Sequence, residues 1–346
     1  MRFLVVKGIE GLGNRLMCVA NAIEYCQKAN RALYVDWSDG MFADKGINAF
    51  HSFFDVKGIT YEENALNVTG ETYYPEYAGY LPFDFKTRDY FTSYHYRDCN
   101  KITRGLIDLG SSFVHFFCSE NTFKRYHILW CHRYAKDKSI RRKLKKHWGD
   151  IATFGSNLPL DRKEDVVFFM DFAPSYSSNI LRKNICLKSG IQQEIDVFLK
   201  KHEMFSKTVA IHIRDTDKQH HTDYGRLIQY VLNFMLEHQL EKIYLATDQR
   251  NVQDLFVERF KNKLIIYDED LPEIDRQSGI GLHMWAEQVN DLHLREKMFH
   301  DSIMDMWLLS KAEYLLYQGN STFSTISMEL KKGINCFDWQ KGIQEE

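Results

Sequence analysis

Residues 2–37 carry the pattern that admits the fewest folds. An apolar run at 2–6 (Arg-Phe-Leu-Val-Val) enters the loop Gly8-Ile-Glu-Gly11-Leu-Gly13, after which Leu16, Val19, Ala20 and Ile23 recur at helical spacing. Asn14 is the predicted N-cap and Asn30 the predicted stop, and residues 32–37 (Ala-Leu-Tyr-Val-Asp-Trp) resume as a strand. Strands joined by a crossover helix lie parallel, so an α/β sheet with helices on its faces begins at the start of the chain.

The same alternation returns near residue 207. Residues 208–213 (Thr-Val-Ala-Ile-His-Ile), 242–247, 264–267 and 314–317 read as strands, and 227–237, 252–260 and 301–311 as helices. A chain of 346 residues has the length for about two domains. The predicted division is 1–200 for an N-terminal Rossmann-like domain and 201–346 for a second. Between 57 and 200 the pattern is harder to read. Residues 73–96 are crowded with Tyr and Phe at no regular period and hold Pro75 and Pro82, which predicts loop; 101–148 lacks proline and predicts helix, ending in the basic stretch 136–147. The aromatic segment is a candidate platform for sugar rings, and the basic stretch a candidate peripheral contact with an anionic membrane, with packed loop and solvated helix as the plainer readings.

Charge narrows the partners. Forty-five Lys and Arg against 47 Asp and Glu give a net charge of -2, without the basic excess that nucleic-acid binding requires. Apolar residues at 44% and only 5 prolines exclude disorder and fibrous repeats. The seven cysteines (18, 26, 99, 118, 131, 186 and 336) form no CxxC pair, which fits reduced thiols and a cytoplasmic setting. No stretch reads as a signal peptide or a membrane span, so the sequons at Asn67 and Asn320 are expected to stay unmodified.

Ligands of open parallel sheets bind beyond the carboxyl ends of the strands. Those ends carry Gly11, Gly13 and Asn14; Arg214, Asp217 and Lys218; Asp248; Asp268 and Asp270; and Ser321 and Thr322. The glycine loop reads GxxGxG, with Asp36 closing the next strand, and matches neither a dinucleotide fingerprint nor a P-loop. In 208–213, alternation puts Ile211 and Ile213 on one face and His212 and Arg214 on the other. The Arg214 guanidinium is suited to a phosphate, with an ion pair to Asp217 as the bland alternative. Asp215-Thr-Asp217 and Asp268-Glu-Asp270 have the DxD form of a metal-holding pair, yet Arg214 and Lys218 make a metal redundant beside the first. His220, His221 and Asp223 lack a partner pair at zinc spacing. No metal and no cofactor are expected.

Three separated motifs together resemble the GDP-fucose-dependent fucosyltransferases, particularly the nodulation chito-oligosaccharide and core α1,6 enzymes. They are Gly11-Leu-Gly13-Asn14-Arg-Leu through Asp36-Trp37 and 48–54; His212-Ile-Arg214-Asp-Thr-Asp217-Lys218 with Tyr244-Leu-Ala-Thr-Asp248; and 305–315 through Asn320-Ser321-Thr322-Phe-Ser324. The resemblance covers about half of the chain and implies the GT-B fold, two Rossmann-like domains facing across a cleft, with an N-terminal acceptor side and a C-terminal GDP-sugar side. It further implies inverting, metal-independent transfer to a glycan hydroxyl. On it, Arg214 would grip the β-phosphate, His212 and Asp305 would contact guanine, Gly11, Gly13 and Ser321 would approach the diphosphate, and Asp248 would be an orienting carboxylate. The family's glutamate, four residues after the lysine matching Lys218, is replaced by Thr222. Asp223 is then the favoured base, ahead of His221 and Asp217. The rival readings are a GT-B enzyme using another sugar nucleotide such as GDP-mannose, and a non-catalytic nucleotide- or glycan-binding module.

Overall fold

The computed structural model describes residues 1–8, 11–44, 46–74, 158–169, 171, 174–216, 222–267, 270–274, 281–282, 285 and 291–345. The segment 75–96, the expected helix 101–148 with its basic end, and Asp217, Lys218, His220, His221 and Asp268 lie outside the described residues.

Strand β1 (Phe3–Lys7) leads through helix α1 (Leu12–Ala29) into β2 (Ala32–Asp36), and the two strands pair in parallel from Phe3↔Ala32 to Lys7↔Asp36. All ten strand residues are buried, as expected of strands covered on both faces. Asn30 ends α1 in the left-handed region at φ 50°, as predicted, a conformation Asn tolerates better than most residues. The predicted N-cap is corrected: Gly11 occupies it with extended φ/ψ, and Asn14 lies inside the first turn. Glycine is an accepted N-cap residue even without a side chain to bond the first turn, so the capping side chain of Asn14 was no guide to the boundary.

Helix α2 (Ala49–Phe53) and β3 (Phe54–Val56) follow. The sequence reading made residues 73–96 a loop, but Tyr73–Tyr74 form a short strand, β4, against β5 (Val166–Phe169), which itself pairs with β1. The first sheet has the order β2-β1-β5-β4 and is parallel throughout. Helix α3 (Ile180–Asn184), β6 (Ile185–Leu187, antiparallel to β3) and helix α4 (Ser189–Lys201) lead to the second half.

There β7 (Thr208–Ile213), α5 (Tyr224–Glu237), β8 (Lys242–Thr247), α6 (Arg250–Phe260) and β9 (Leu264–Ile265) follow the predicted alternation, with β9 two residues shorter than expected. Helix α7 (Leu292–Leu309) starts well before the predicted residue 301, its N-terminus capped by Asp291, whose carboxylate accepts the Leu294 N–H at 3.0 Å. Strand β10 (Tyr314–Tyr317), helix α8 (Thr322–Leu330), β11 (Cys336–Asp338) and helix α9 (Trp339–Glu345) complete the order. The second sheet runs β11-β10-β7-β8-β9, again all parallel.

One face of the second sheet, with Val209, Ile211, Ile213, Ile243 and Leu245, packs on α5 and α6. The other face, with Ala210, Tyr244 and Ala246, joins a single apolar cluster with Leu4, Val6, Val35 and Val167 of the first sheet and the buried side of α7. Aromatic rings join the halves: Phe42 stacks on Phe299 at 4.1 Å and 7°, and Trp37 meets Phe50, Phe54 and Phe299 edge to face. Arg295 of α7 donates to the Gly40 carbonyl of the first half at 2.6 Å.

Candidate functional site

The strand β7 delivers His212 and then Arg214 at the carboxyl edge of the second sheet. The predicted alternation holds, since Ile211 and Ile213 belong to the α5/α6 face and His212 meets α8 on the other. His212 is buried and stacks on Phe323 at 4.7 Å. Its Nδ1 lies 2.7 Å from Ser324 Oγ, and that hydroxyl accepts the Gln318 main-chain N–H at 3.1 Å. With one proton and two lone pairs, that hydroxyl can accept from the Gln318 N–H and still either donate to Nδ1 or accept from it. Burial, reinforced by the charge of Arg214, pushes the His212 pKa down to about 3, so the ring is neutral near neutral pH.

Arg214 is held at its main chain. Its N–H donates to Gln318 Oε1 at 2.7 Å, and Gln318 Nε2 donates back to its carbonyl at 3.2 Å. The next residues are held from the opposite side, where Asp248, just past β8, accepts the Asp215 N–H at 2.8 Å and the Thr216 hydroxyl at 2.5 Å. Asp215 in turn accepts the Tyr224 hydroxyl at 2.5 Å. The loop that follows β7 is thus anchored to β8, β10 and α5 before it reaches 217.

Two helix N-termini converge beside it. Neither α1, capped by Gly11, nor α8, capped by Ser321, has a side-chain cap or an acid in its first turn. Ser321 is buried, and among the described residues its Oγ has no hydrogen-bond partner. A Cβ placed on Gly13 would lie 2.7 Å from Phe323 N and 2.8 Å from Thr322 Oγ1. Uncapped first turns present N–H donors and the positive end of the helix dipole, the general chemistry of an anion site.

The other expected residues are placed as follows. Asp305 of α7 accepts the Tyr244 hydroxyl in a short contact, and Tyr244 pairs with Ala210 two residues before His212, so Asp305 stands over the same sheet face as His212. Asn14 is half-buried in the first turn of α1. Asp223 is exposed and caps α5, its Oδ1 accepting the Arg226 N–H at 3.1 Å. Asp36 is buried and paired with Lys7 while accepting the Ser38 N–H at 3.0 Å, which gives it a folding role in the first half. Gly8 makes room for Arg15, whose Nη1 would stand 2.0 Å from any Cβ there. Arg15 then pairs with Asp39 at 2.6 Å under the faces of Trp37 and Phe42. Gln318, Ser324, Tyr224 and Tyr244 were not identified as site residues from sequence; a glutamine two residues past a strand has no signature of its own.

No family model matches the chain, and no curated protein matches it in sequence. Solved structures do match in fold. A crystal of the NodZ α1,6-fucosyltransferase soaked with GDP-fucose is 16% identical with a TM-score of 0.56, over 95% of this chain and 92% of that one. The fucosyltransferase NodZ from Bradyrhizobium matches at 16% identity and TM-score 0.54, over 94% and 91%. POFUT1 in complex with GDP-fucose matches at 10% and 0.50, over 96% and 94%. Two parallel sheets sharing one apolar seam, in the arrangement of these proteins, make this chain an α/β protein with the GT-B fold of the GDP-fucose fucosyltransferases.

Proposed function

We propose that the protein transfers L-fucose from GDP-fucose to a hydroxyl of a glycan acceptor, with inversion at the anomeric carbon and without a metal. The observation that carries this reading is the clamped Arg214 main chain beside the uncapped N-terminus of α8, which itself touches the first turn of α1 at Gly13. In the reaction the acceptor oxygen bonds to the sugar carbon, the carbon–oxygen bond to the β-phosphate breaks, and GDP departs with the electron pair. Arg214 and the N–H groups around Gly13 and Thr322 receive the charge of the departing diphosphate as preorganised donors. The Ser321 hydroxyl is a donor awaiting a phosphate oxygen. The neutral His212 contacts guanine with Asp305 nearby, and Asp248 keeps the Arg214 loop in place. Gly11 and Asn14 complete the donor set on the α1 side.

The acceptor proton goes to a carboxylate or imidazole after β7. Asp223 is the favoured base, since its exposed side chain sits at the start of α5 next to Tyr224; His221, Asp217 and Lys218 complete the catalytic set. Residues 1–200 form the acceptor side and 201–346 the donor side. The described cysteines 18, 26, 186 and 336 are free thiols, which supports a reducing compartment, and among the described residues no helix is long and apolar enough to cross a membrane.

The test is a GDP-release assay comparing GDP-fucose with GDP-mannose and UDP-sugars, with and without EDTA, over acceptors that include chitobiose and N-glycan cores. Fucose transfer indifferent to EDTA is expected. GDP binding without turnover of any donor would instead identify a binding module, a reading favoured by Thr222 at the family's glutamate position and by the commitment of Asp223 to its helix cap.

A further inference from the structure

The ladder between β7 and β10 ends at the pair Leu316↔Ile211, whereas β7 continues to Ile213 alongside β8. The main chain of Arg214 has therefore run past its last strand neighbour on the β10 side, at a buried edge where an amide without a partner is costly. The carboxamide of Gln318 fills that place. It accepts the Arg214 N–H at 2.7 Å and donates to the Arg214 carbonyl at 3.2 Å, as one more peptide group of β10 would. Its remaining Nε2 hydrogen goes to Asn320 Oδ1 at 3.1 Å, and the Gln318 side chain is itself buried. The two-way bonding fixes which end of the amide is oxygen.

Through its main-chain N–H the same residue reaches Ser324 Oγ, and through that hydroxyl His212 Nδ1. Gln318 thus bonds the backbone of the phosphate-gripping arginine, the loop leading into α8, and the hydroxyl that orients the buried histidine. We infer that Gln318 is the positioning residue of the donor site: its side chain extends the second sheet by one peptide and thereby sets the direction in which Arg214 leaves the strand. This inference rests on the donor-site reading proposed above and adds to it a residue that no strand, cap or charge pattern pointed to.

The experiment compares wild type, Arg214→Ala, Gln318→Met and the double variant for GDP binding by calorimetry and for single-turnover and steady-state release of GDP from GDP-fucose. Gln318→Met keeps the length of the side chain and removes both amide functions. Misaiming a catalytic group by about 1 Å lowers turnover on the order of 100-fold, so a loss of that size in kcat is expected, with KM for GDP-fucose changing much less. In the Arg214→Ala background the same substitution should change kcat by less than about twofold, because residues acting as a unit are not additive. Independent, multiplying losses would overturn the inference, as would wild-type kcat in Gln318→Met. Should Gln318→Met not fold, Gln318→Glu provides the second arm: a protonated carboxyl reproduces the amide's donor and acceptor, so its activity should recover as pH is lowered, and a flat ratio to wild type would count against the assignment. Normal transfer by Arg214→Ala would remove the donor reading and this inference with it, whereas a silent Arg214→Ala beside a fully active Gln318→Met would remove only the latter.

Discussion

Gly13 of α1 and Phe323 of α8 meet backbone to backbone across the two halves, with space for a hydrogen but not a methyl: a Cβ on Gly13 would stand 2.7 Å from Phe323 N. Because the obstacle is main chain, it cannot swing aside. Gly13→Ala is expected to cost about 1–3 kcal/mol by overpacking and to weaken GDP binding, both from one displacement. Thermal unfolding and calorimetry with GDP check it; an alanine variant with native stability and affinity would show that the contact gives way freely.

On the proposed mechanism, removing the Arg214 guanidinium takes away a preorganised charge that the departing diphosphate needs. Arg214→Ala is expected to lower transfer on the order of 100- to 1000-fold while the fold persists, since its main-chain bonds to Gln318 remain. Single-turnover GDP release with circular dichroism as a control measures this.

Asp248 acts at one remove. Its two oxygens fix Asp215 N and Thr216 Oγ1, and Asp248→Ala leaves both without that acceptor, at a cost of about 1.5–3 kcal/mol for bonds to a charged group. The expected outcome is a lower melting temperature together with slower transfer. A variant that loses stability and keeps its full rate would confine Asp248 to folding.

Arg15 and Asp39 form a buried pair under two aromatic rings, with Met41 N–H also on the carboxylate at 3.3 Å. Burial alone would raise the Asp39 pKa, but the charge and hydrogen bonds of Arg15 outweigh it and hold the carboxyl below its usual range. A group lowered in the folded state stabilises above its unfolded pKa and loses that contribution as pH falls. Asp39→Ala is expected to cost about 3–5 kcal/mol near neutral pH, because it removes the carboxylate paired with the buried Arg15 charge, and the deficit should narrow in acid. Denaturant melts at pH 7 and at about pH 2, below the unfolded carboxyl value of about 3.9, give the comparison.

His300 has the opposite sign. Its hydrogen bond to Asp301 raises its pKa against partial burial, with Glu194 adding to the rise. Its contribution is complete below the unfolded value of about 6.5 and disappears as pH climbs through the raised folded value. Since this cluster between α4 and α7 is part-exposed, His300→Gln should cost no more than about 1 kcal/mol at pH 6 and almost nothing at pH 9. An equal deficit at both values would mean that packing against Phe53 and Tyr267, not charge, is what His300 supplies.

Much of this fold was readable where local and long-range demands coincide. The strands 208–213 and 242–247 are buried runs flanked by turn residues, and His212 falls on the predicted face, opposite Ile211 and Ile213, because a strand has a period of two. Strand β5 was missed because its four apolar residues follow a charged stretch and acquire strand character from β1, more than 150 residues earlier. The early start of α7 was missed because His293, Arg295, Glu296 and Lys297 break the apolar stripe of its first turns. Asn14 was misassigned because its capping chemistry was given more weight than the glycine three residues earlier, which caps the helix with no side-chain bond. Asp36, which closes the strand after the glycine loop, is half of a buried pair with Lys7, a partner 29 positions away that adjacency in sequence does not reveal. Gln318 belongs to the same class, since the edge it completes exists only once β7 and β10 are side by side.

The apolar seam that runs from Leu4 and Val35 through Phe299 and Trp307 to Tyr244 and Ala246 makes the two sheets share one interior. On the proposed donor site, nucleotide capture and the cohesion of the halves are linked equilibria: whatever a diphosphate gains by spanning the first turns of α1 and α8 is returned as resistance to prying the lobes apart. Either lobe produced alone would expose a wide greasy face and hold half a cradle.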